Sequence, residues 1–189
     1  TQTRAELVQR LNAEKALQIN KQNLQALIEN SDGSIWSVDE QYRLITGNSL
    51  YHKNVSAAIG REVMAGENLL SLNLPQPAIE EWRNYYDRAL QGEKFSIEIR
   101  TRFAPNTLDM EYRFSPIKDE NGKIEGVTVF GRDITKRKRA EEALRESHED
   151  FQRYFNMSTV GMAVTSPEKG WIEVNDRLCQ IFGYSKKEL

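Results

Sequence analysis

Apolar positions change period several times along the chain, and each change marks an element. Residues 1 to about 28 contain no Gly or Pro, and Leu7, Leu11, Leu17, Leu24, Leu27 and Ile28 form a helical stripe. The polar run Asn20-Lys21-Gln22-Asn23 interrupts it, so the heptad is imperfect. Two readings stand: an amphipathic helix packed on its own domain, or a parallel two-helix coil. From Ser34 the texture turns β-like. SIWSVD and YRLITGN, separated by Glu40-Gln41, read as a hairpin. Residues 48–74 are mixed and suit short helices broken at Gly60 and Gly66. Pro77 opens a helix to about Leu90, with Ile79, Trp82, Tyr86 and Leu90 on one face and Gly92 at its end.

Period two then takes over. FSIEIRTRF places Phe95, Ile97, Ile99, Thr101 and Phe103 on one side, and DMEYRFSPI places Met110, Tyr112 and Phe114 on one side. Asp119-Glu120-Asn121-Gly122 is a turn leading into KIEGVTVFGRD. Two strands, several helices and three strands predict an α+β domain with one antiparallel sheet.

The pattern restarts. Asn175 in WIEVNDRLCQI follows Asn48 in LITGNSLYHKN by 175 − 48 = 127 positions. At the same offset Leu24 meets Phe151, Ile28 meets Phe155, Ser31 meets Ser158, Ile35 meets Met162, Ile45 meets Ile172 and Tyr51 meets Leu178. Identity is low, so the alternatives are an internal repeat and a chance agreement of two β–β–α patterns.

Composition narrows the function classes. Formal charge is 26 − 28 = −2, which gives no general pull toward nucleic acid or anionic membrane. No apolar run approaches the ~20 residues of a membrane span, so no direct membrane insertion is expected, and no signal peptide heads the chain. Cys179 is alone, which leaves no internal disulfide and no cysteine-based zinc cluster. A reducing, cytoplasmic setting fits this composition, and the chain reads as a fragment of something longer.

Ser115–Leu144, SPIKDENGKIEGVTVFGRDITKRKRAEEAL, resembles the last hairpin and closing Asp-Ile-Thr of a PAS sensory domain with its PAC portion. SHEDFQRYFNMSTVGMAVTSPEKGWIEVNDRLCQIFGYSKKEL resembles the opening of another. The resemblance covers about Leu24–Leu189. It implies a PAS-like five-stranded antiparallel sheet with helices on one face, cupped to hold a small ligand. Flanking N- and C-terminal signalling helices and a downstream output domain in cis are implied too. That output would be a sensor histidine kinase of a two-component system or, alternatively, a diguanylate cyclase. The expected divisions are an N-terminal helix (1–28), a PAS domain (29–134), a connector helix (135–150) and the start of a second PAS domain (151–189). A homodimer through the N-terminal helix is expected, with no nucleic-acid partner.

Asp133-Ile134-Thr135 forms the expected signal-relay junction. Asp133 or Thr135 can cap the following helix, while Ile134 tucks under the sheet. The basic run Lys136 to Arg139 is followed by Glu141 and Glu142, at spacings that suit a solvated helix face. Ser147-His148-Glu149 looks like a phosphoacceptor box. A second PAS-like opening follows it, with no nucleotide-binding segment, so His148 reads as a solvent-facing linker residue.

No catalytic or metal site is expected in this chain: it shows no nucleotide loop, metal cluster or nucleophile–base pair. Family haem proteins commonly supply a histidine from the helix before the last three strands. Here that helix has none and His52 lies earlier, so haem is not expected. No Asn-Cys-Arg string supports a flavin photoadduct, and the cofactor stays unknown. Non-covalent flavin or a small organic ligand both remain open: Trp82, Tyr85 and Tyr86 could line an aromatic pocket or simply form the helix's core face. The cup-facing set is Trp36, Tyr51, Leu72, Trp82, Tyr86, Ile99, Thr101, Met110, Tyr112, Phe114 and Val129, with Arg100 and Arg113 on the opposite face.

Overall fold

A computed structural model of the chain describes residues 2–103, 106–186 and 188, with side chains for 6–101, 107–186 and 188. The side chain of Phe103, placed on the apolar side of its strand by the alternation, lies outside the described residues. The chain divides into two compact units, Thr1–Thr135 and Lys136–Leu189.

The first unit opens with α1 (Gln2–Glu29), then β1 (Ser34–Asp39), β2 (Leu44–Gly47) and α2 (Ser49–Ile59). A 3-10 turn (Leu69–Ser71), α3 (Gln76–Leu90), β3 (Phe95–Phe103), β4 (Asn106–Lys118) and β5 (Ile124–Asp133) follow. The five strands form one antiparallel sheet in the order β2-β1-β5-β4-β3. This is the α+β architecture that the alternating runs predict.

β2 is shorter than the run YRLITGN implies, beginning at Leu44. Tyr42 takes a left-handed φ of 61°, which ends extended backbone there. The Asp39 carboxylate closes the loop by accepting from Gln41 N and Arg43 N, both at 2.8 Å. Tyr42 also donates its hydroxyl to Asp87 of α3 at 2.6 Å.

Core residues come from alternate strand positions and one helix face. Trp36, Val38, Tyr112, Phe114, Val127 and Val129 meet Tyr86 and Ala89 of α3 and Tyr51 of α2 in one apolar cluster. Phe114 is fully buried, stacked on Phe95 with ring centroids 4.8 Å apart. Arg100 and Arg113, on the far face, reach carboxylates of Asp109 and Glu111 at 2.8 and 3.0 Å. α1 does not pack on this core. Leu7, Leu11, Leu17, Leu24 and Leu27 are all more than half exposed, which removes the reading of α1 as a helix packed on its own domain.

Asn48 ties the first unit together. Its side chain is 1% exposed and all four of its hydrogen-bonding positions are used. Oδ1 accepts from Ile35 N and Tyr51 N, at 3.0 and 2.9 Å, and Nδ2 donates to Gly33 O and Ile28 O, at 2.9 and 3.2 Å. One side chain thereby caps α2, anchors β1 and holds the end of α1.

The second unit holds α4 (Thr135–Met157, which starts at the last residue of the first unit), β6 (Ala163–Ser166), β7 (Gly170–Val174) and α5 (Asp176–Phe182). β6 and β7 pair antiparallel. Asn175 repeats the role of Asn48. It accepts from Met162 N and Leu178 N, both at 2.9 Å, and donates to Phe155 O and Val160 O, at 2.7 and 3.0 Å. All four partners lie 127 positions beyond those of Asn48 (35 and 162, 51 and 178, 28 and 155, 33 and 160), so the restart is a structural repeat. The boundary drawn at 150/151 falls inside α4, which runs unbroken because no Gly or Pro occurs between Thr135 and Met157. His148 is exposed in the middle of that helix.

Candidate functional site: an aromatic cup beside the outgoing helix

Between the sheet and the helices of the first unit lies a cavity of about 460 Å³, within the usual range of small-molecule sites. Its floor follows from strand alternation. Ser34 and Trp36 of β1, Leu108, Met110 and Tyr112 of β4, and Gly131 and Asp133 of β5 face it in period two. Cross-strand register sets them side by side, Tyr112 opposite Gly131 and Met110 opposite Asp133. Gly131 matters here: a Cβ at this position would meet the Tyr112 ring at 2.7 Å. The roof comes from α2, the 3-10 turn and α3.

Seven of the eleven expected cup residues line the cavity: Trp36, Tyr51, Leu72, Trp82, Tyr86, Met110 and Tyr112. Four do not. Phe114 and Val129 are fully buried in the packed core, with Phe114 walled by the rings of Trp82, Tyr85 and Phe95. Ile99 and Thr101 sit on the edge strand β3, behind their partners Met110 and Leu108. Among the described residues, the Thr101 hydroxyl is buried without a hydrogen-bond partner. The residues that sequence reasoning missed are chiefly Leu50, Asn54, Val55, Ala57, Ala58 and Ile59 of α2, with Leu69, Leu70, Leu74 and Ile79. The bracketing of α2 by capping Asn48 and left-handed Gly60 was the signal available for that helix.

Aromatic rings dominate the deep wall. Trp36 stacks on Tyr51 at 5.0 Å, and Trp82 meets Tyr112 edge-on at 5.1 Å. Trp36 Nε1 donates to Tyr86 Oη at 3.0 Å. Burial disfavours the phenolates, pushing the Tyr112 hydroxyl up to about 12 and those of Tyr51 and Tyr86 higher still. These groups stay protonated across the physiological range. His52 is not in the wall; its ring lies against the edge of Tyr51. Among the described residues no group of His, Cys, Asp or Glu is placed to hold a metal ion.

At the cavity's edge the sheet becomes the helix. Asp133 Oδ1 accepts from Thr135 N at 2.8 Å, satisfying the first free amide of α4. Thr135 Oγ1 accepts from Asp109 N at 2.9 Å, and Ile134 N donates to Asp109 O at 2.8 Å. Ile134 is buried. Asp133 caps the helix, whereas the Thr135 hydroxyl serves β4.

A cupped antiparallel sheet, an aromatic hollow and a helix leaving its central strand define a sensory-type α+β domain. The family model described as "PAS fold" matches residues 28–139, and that described as "PAS domain" matches 149–189. The chain belongs to the PAS family. The PAS domain of Bordetella pertussis BvgS is a structural neighbour, 20% identical, with a TM-score of 0.51 over 72% of this chain and 98% of that one. A sensory box sensor histidine kinase structure from Vibrio cholerae is 21% identical, with a TM-score of 0.41 over 64% of this chain and 93% of that one. In sequence, the chain is 40% identical over 46 residues to the probable diguanylate cyclase DgcE of Escherichia coli (strain K12). That match spans 24% of this chain and 4% of the relative. No helix among the described residues is long and apolar enough to cross a membrane.

Proposed function

We propose that this chain is a cytoplasmic sensing and relay module, in which a small ligand in the aromatic cup biases the geometry of α4. One observation carries the reading: Asp133 both lines the cavity and holds the first amide of the outgoing helix. A ligand that displaces or recruits this carboxylate changes the helix start without any further intermediary. Leu72, Trp82 and Met110 contribute the apolar contact, and the Asp133-Ile134-Thr135 junction the transmission. Catalysis belongs to an output domain in cis, a histidine kinase or a diguanylate cyclase; the relative of the latter name supports that alternative. The two are separated by assaying the parent protein for autophosphorylation and for cyclic-dinucleotide synthesis.

The ligand-binding reading is tested by native mass spectrometry and absorbance of the purified chain, followed by thermal-shift screening of small molecules. Retained mass or ligand-induced stabilisation, lost on filling the cup with Leu72→Trp, is the expected result. An unresponsive, empty chain would leave a ligand-free dimerisation and spacer module. A specific observation favours dimerisation in either case: the leucine stripe of α1 is uncovered. A homodimer through α1 predicts that deleting residues 1–23 lowers the sedimenting mass to that of a monomer.

A further inference from the structure

The chemistry of the cavity wall restricts what the cup can accept. Its charged lining residues are two carboxylates, Asp32 and Asp133, both solvent-exposed, and the wall contains no Lys, Arg or His. Arg132, next to lining Gly131 and Asp133 in the chain, is engaged with Asp32 at 2.8 Å. An anion entering the cup would pass carboxylates and find no counter-charge inside. A cation would lose its hydration shell among rings and aliphatic groups, with no carboxylate in the buried part.

The deep end has a different demand. Tyr51 and Tyr112 are each 6% exposed and line the cavity, yet neither hydroxyl has a hydrogen-bond partner among the described residues. The Tyr86 hydroxyl, by contrast, accepts from Trp36. Opening on the cavity, each hydroxyl has a proton to donate, and an acceptor supplied by a ligand would take it. Held protonated by burial, both phenols remain donors. The surrounding rings offer flat apolar faces for stacking.

We infer that the cup takes an uncharged, largely flat apolar molecule carrying a carbonyl or ring-nitrogen acceptor, held by the Tyr51 and Tyr112 hydroxyls, and that it discriminates against anions. This rests on the ligand-binding reading above and names the class of ligand. Phosphate-bearing flavins and carboxylate metabolites fall outside it.

Four probes of one ring and similar size separate the terms by titration calorimetry on the full chain: indole-3-acetamide, indole-3-acetate, tryptamine and 3-ethylindole. Indole-3-acetamide is expected to bind most tightly, about tenfold or more ahead of indole-3-acetate. Tyr112→Phe and Tyr51→Phe should each weaken indole-3-acetamide about fivefold, the worth of one hydrogen bond, and leave 3-ethylindole unchanged. Tightest binding by the acetate or by tryptamine would overturn the ligand class while leaving ligand binding intact. So would equal losses for indole-3-acetamide and 3-ethylindole in both Tyr variants. Failure of all four to bind the folded chain would overturn the class and the reading beneath it together.

Discussion

The two copies of the β–β–α pattern share one device and differ in what surrounds it. Asn48 and Asn175 make the same four bonds to partners at the same offset. Around Asn48, α2 packs on β1, β1 pairs with β5, and α3 packs on β4 and β5. Around Asn175 the described residues leave Trp171, Ile172, Ile181 and Phe182 at least 42% exposed. The Asn-centred hub is thus local, built from partners 3 to 20 positions away. The closed cup is not local: it needs Trp36 of β1 to meet Trp82 of α3 and Tyr112 of β4. Sequence pattern repeats the hub readily, but the hollow depends on long-range packing.

The largest expected break in this comparison comes from the core around Phe114. Phe114→Ala removes a fully buried ring and should cost about 3–5 kcal/mol in denaturant unfolding of the first unit, leaving the amide spectrum of 136–189 unchanged. Next comes the shared hub. Asn48→Ala strands buried backbone groups and should cost roughly 2–4 kcal/mol. Asn175→Ala should melt β6, β7 and α5, as read by hydrogen exchange, while the five-stranded sheet keeps its protection.

The hydroxyls of the cup give a smaller, pH-dependent signal. An unfolded tyrosine ionises near ~10, and burial raises the folded value of Tyr112 to about 12. The unfolded chain therefore releases its proton first. Stability is fully present below pH ~10 and falls as pH rises toward ~12, by on the order of 2 kcal/mol for this group. Tyr112→Phe should flatten part of that decline in alkaline unfolding curves; an unchanged slope would show that the group titrates normally. Smallest is the cap. Asp133→Ala should cost about 1 kcal/mol and raise hydrogen exchange in the first turn of α4, whereas Asp133→Asn retains the acceptor and much of the protection.

Much of this was legible in the chain. Strict alternation in β3 and β4 put Met110, Tyr112 and Phe114 on the core face, and spacing in α3 did the same for Trp82 and Tyr86. Alternation cannot say how far along a strand the hollow extends, so Ile99 and Thr101 share the face but lie at the sheet's edge. Nor can it separate wall from floor: Phe114 and Val129 are packed too tightly to meet the cavity. The roof was the hardest part to read. α2 presents Ala57, Ala58 and Asn54 among its lining residues, a weak apolar stripe, and the 3-10 turn has no helical period. The expected start of the second PAS segment at residue 151 lies inside α4, whose sequence carries no helix-breaking residue to mark it.

The proposed relay requires coupling between the cup and the start of α4. Hydrogen exchange of residues 135–139, with and without saturating indole-3-acetamide, tests it most directly. Coupling predicts altered protection of those amides on binding, lost in Asp133→Ala although Trp36 and Met110 still report an occupied cup. Occupancy seen at the strands with no change at 135–139 in the wild-type chain would contradict it.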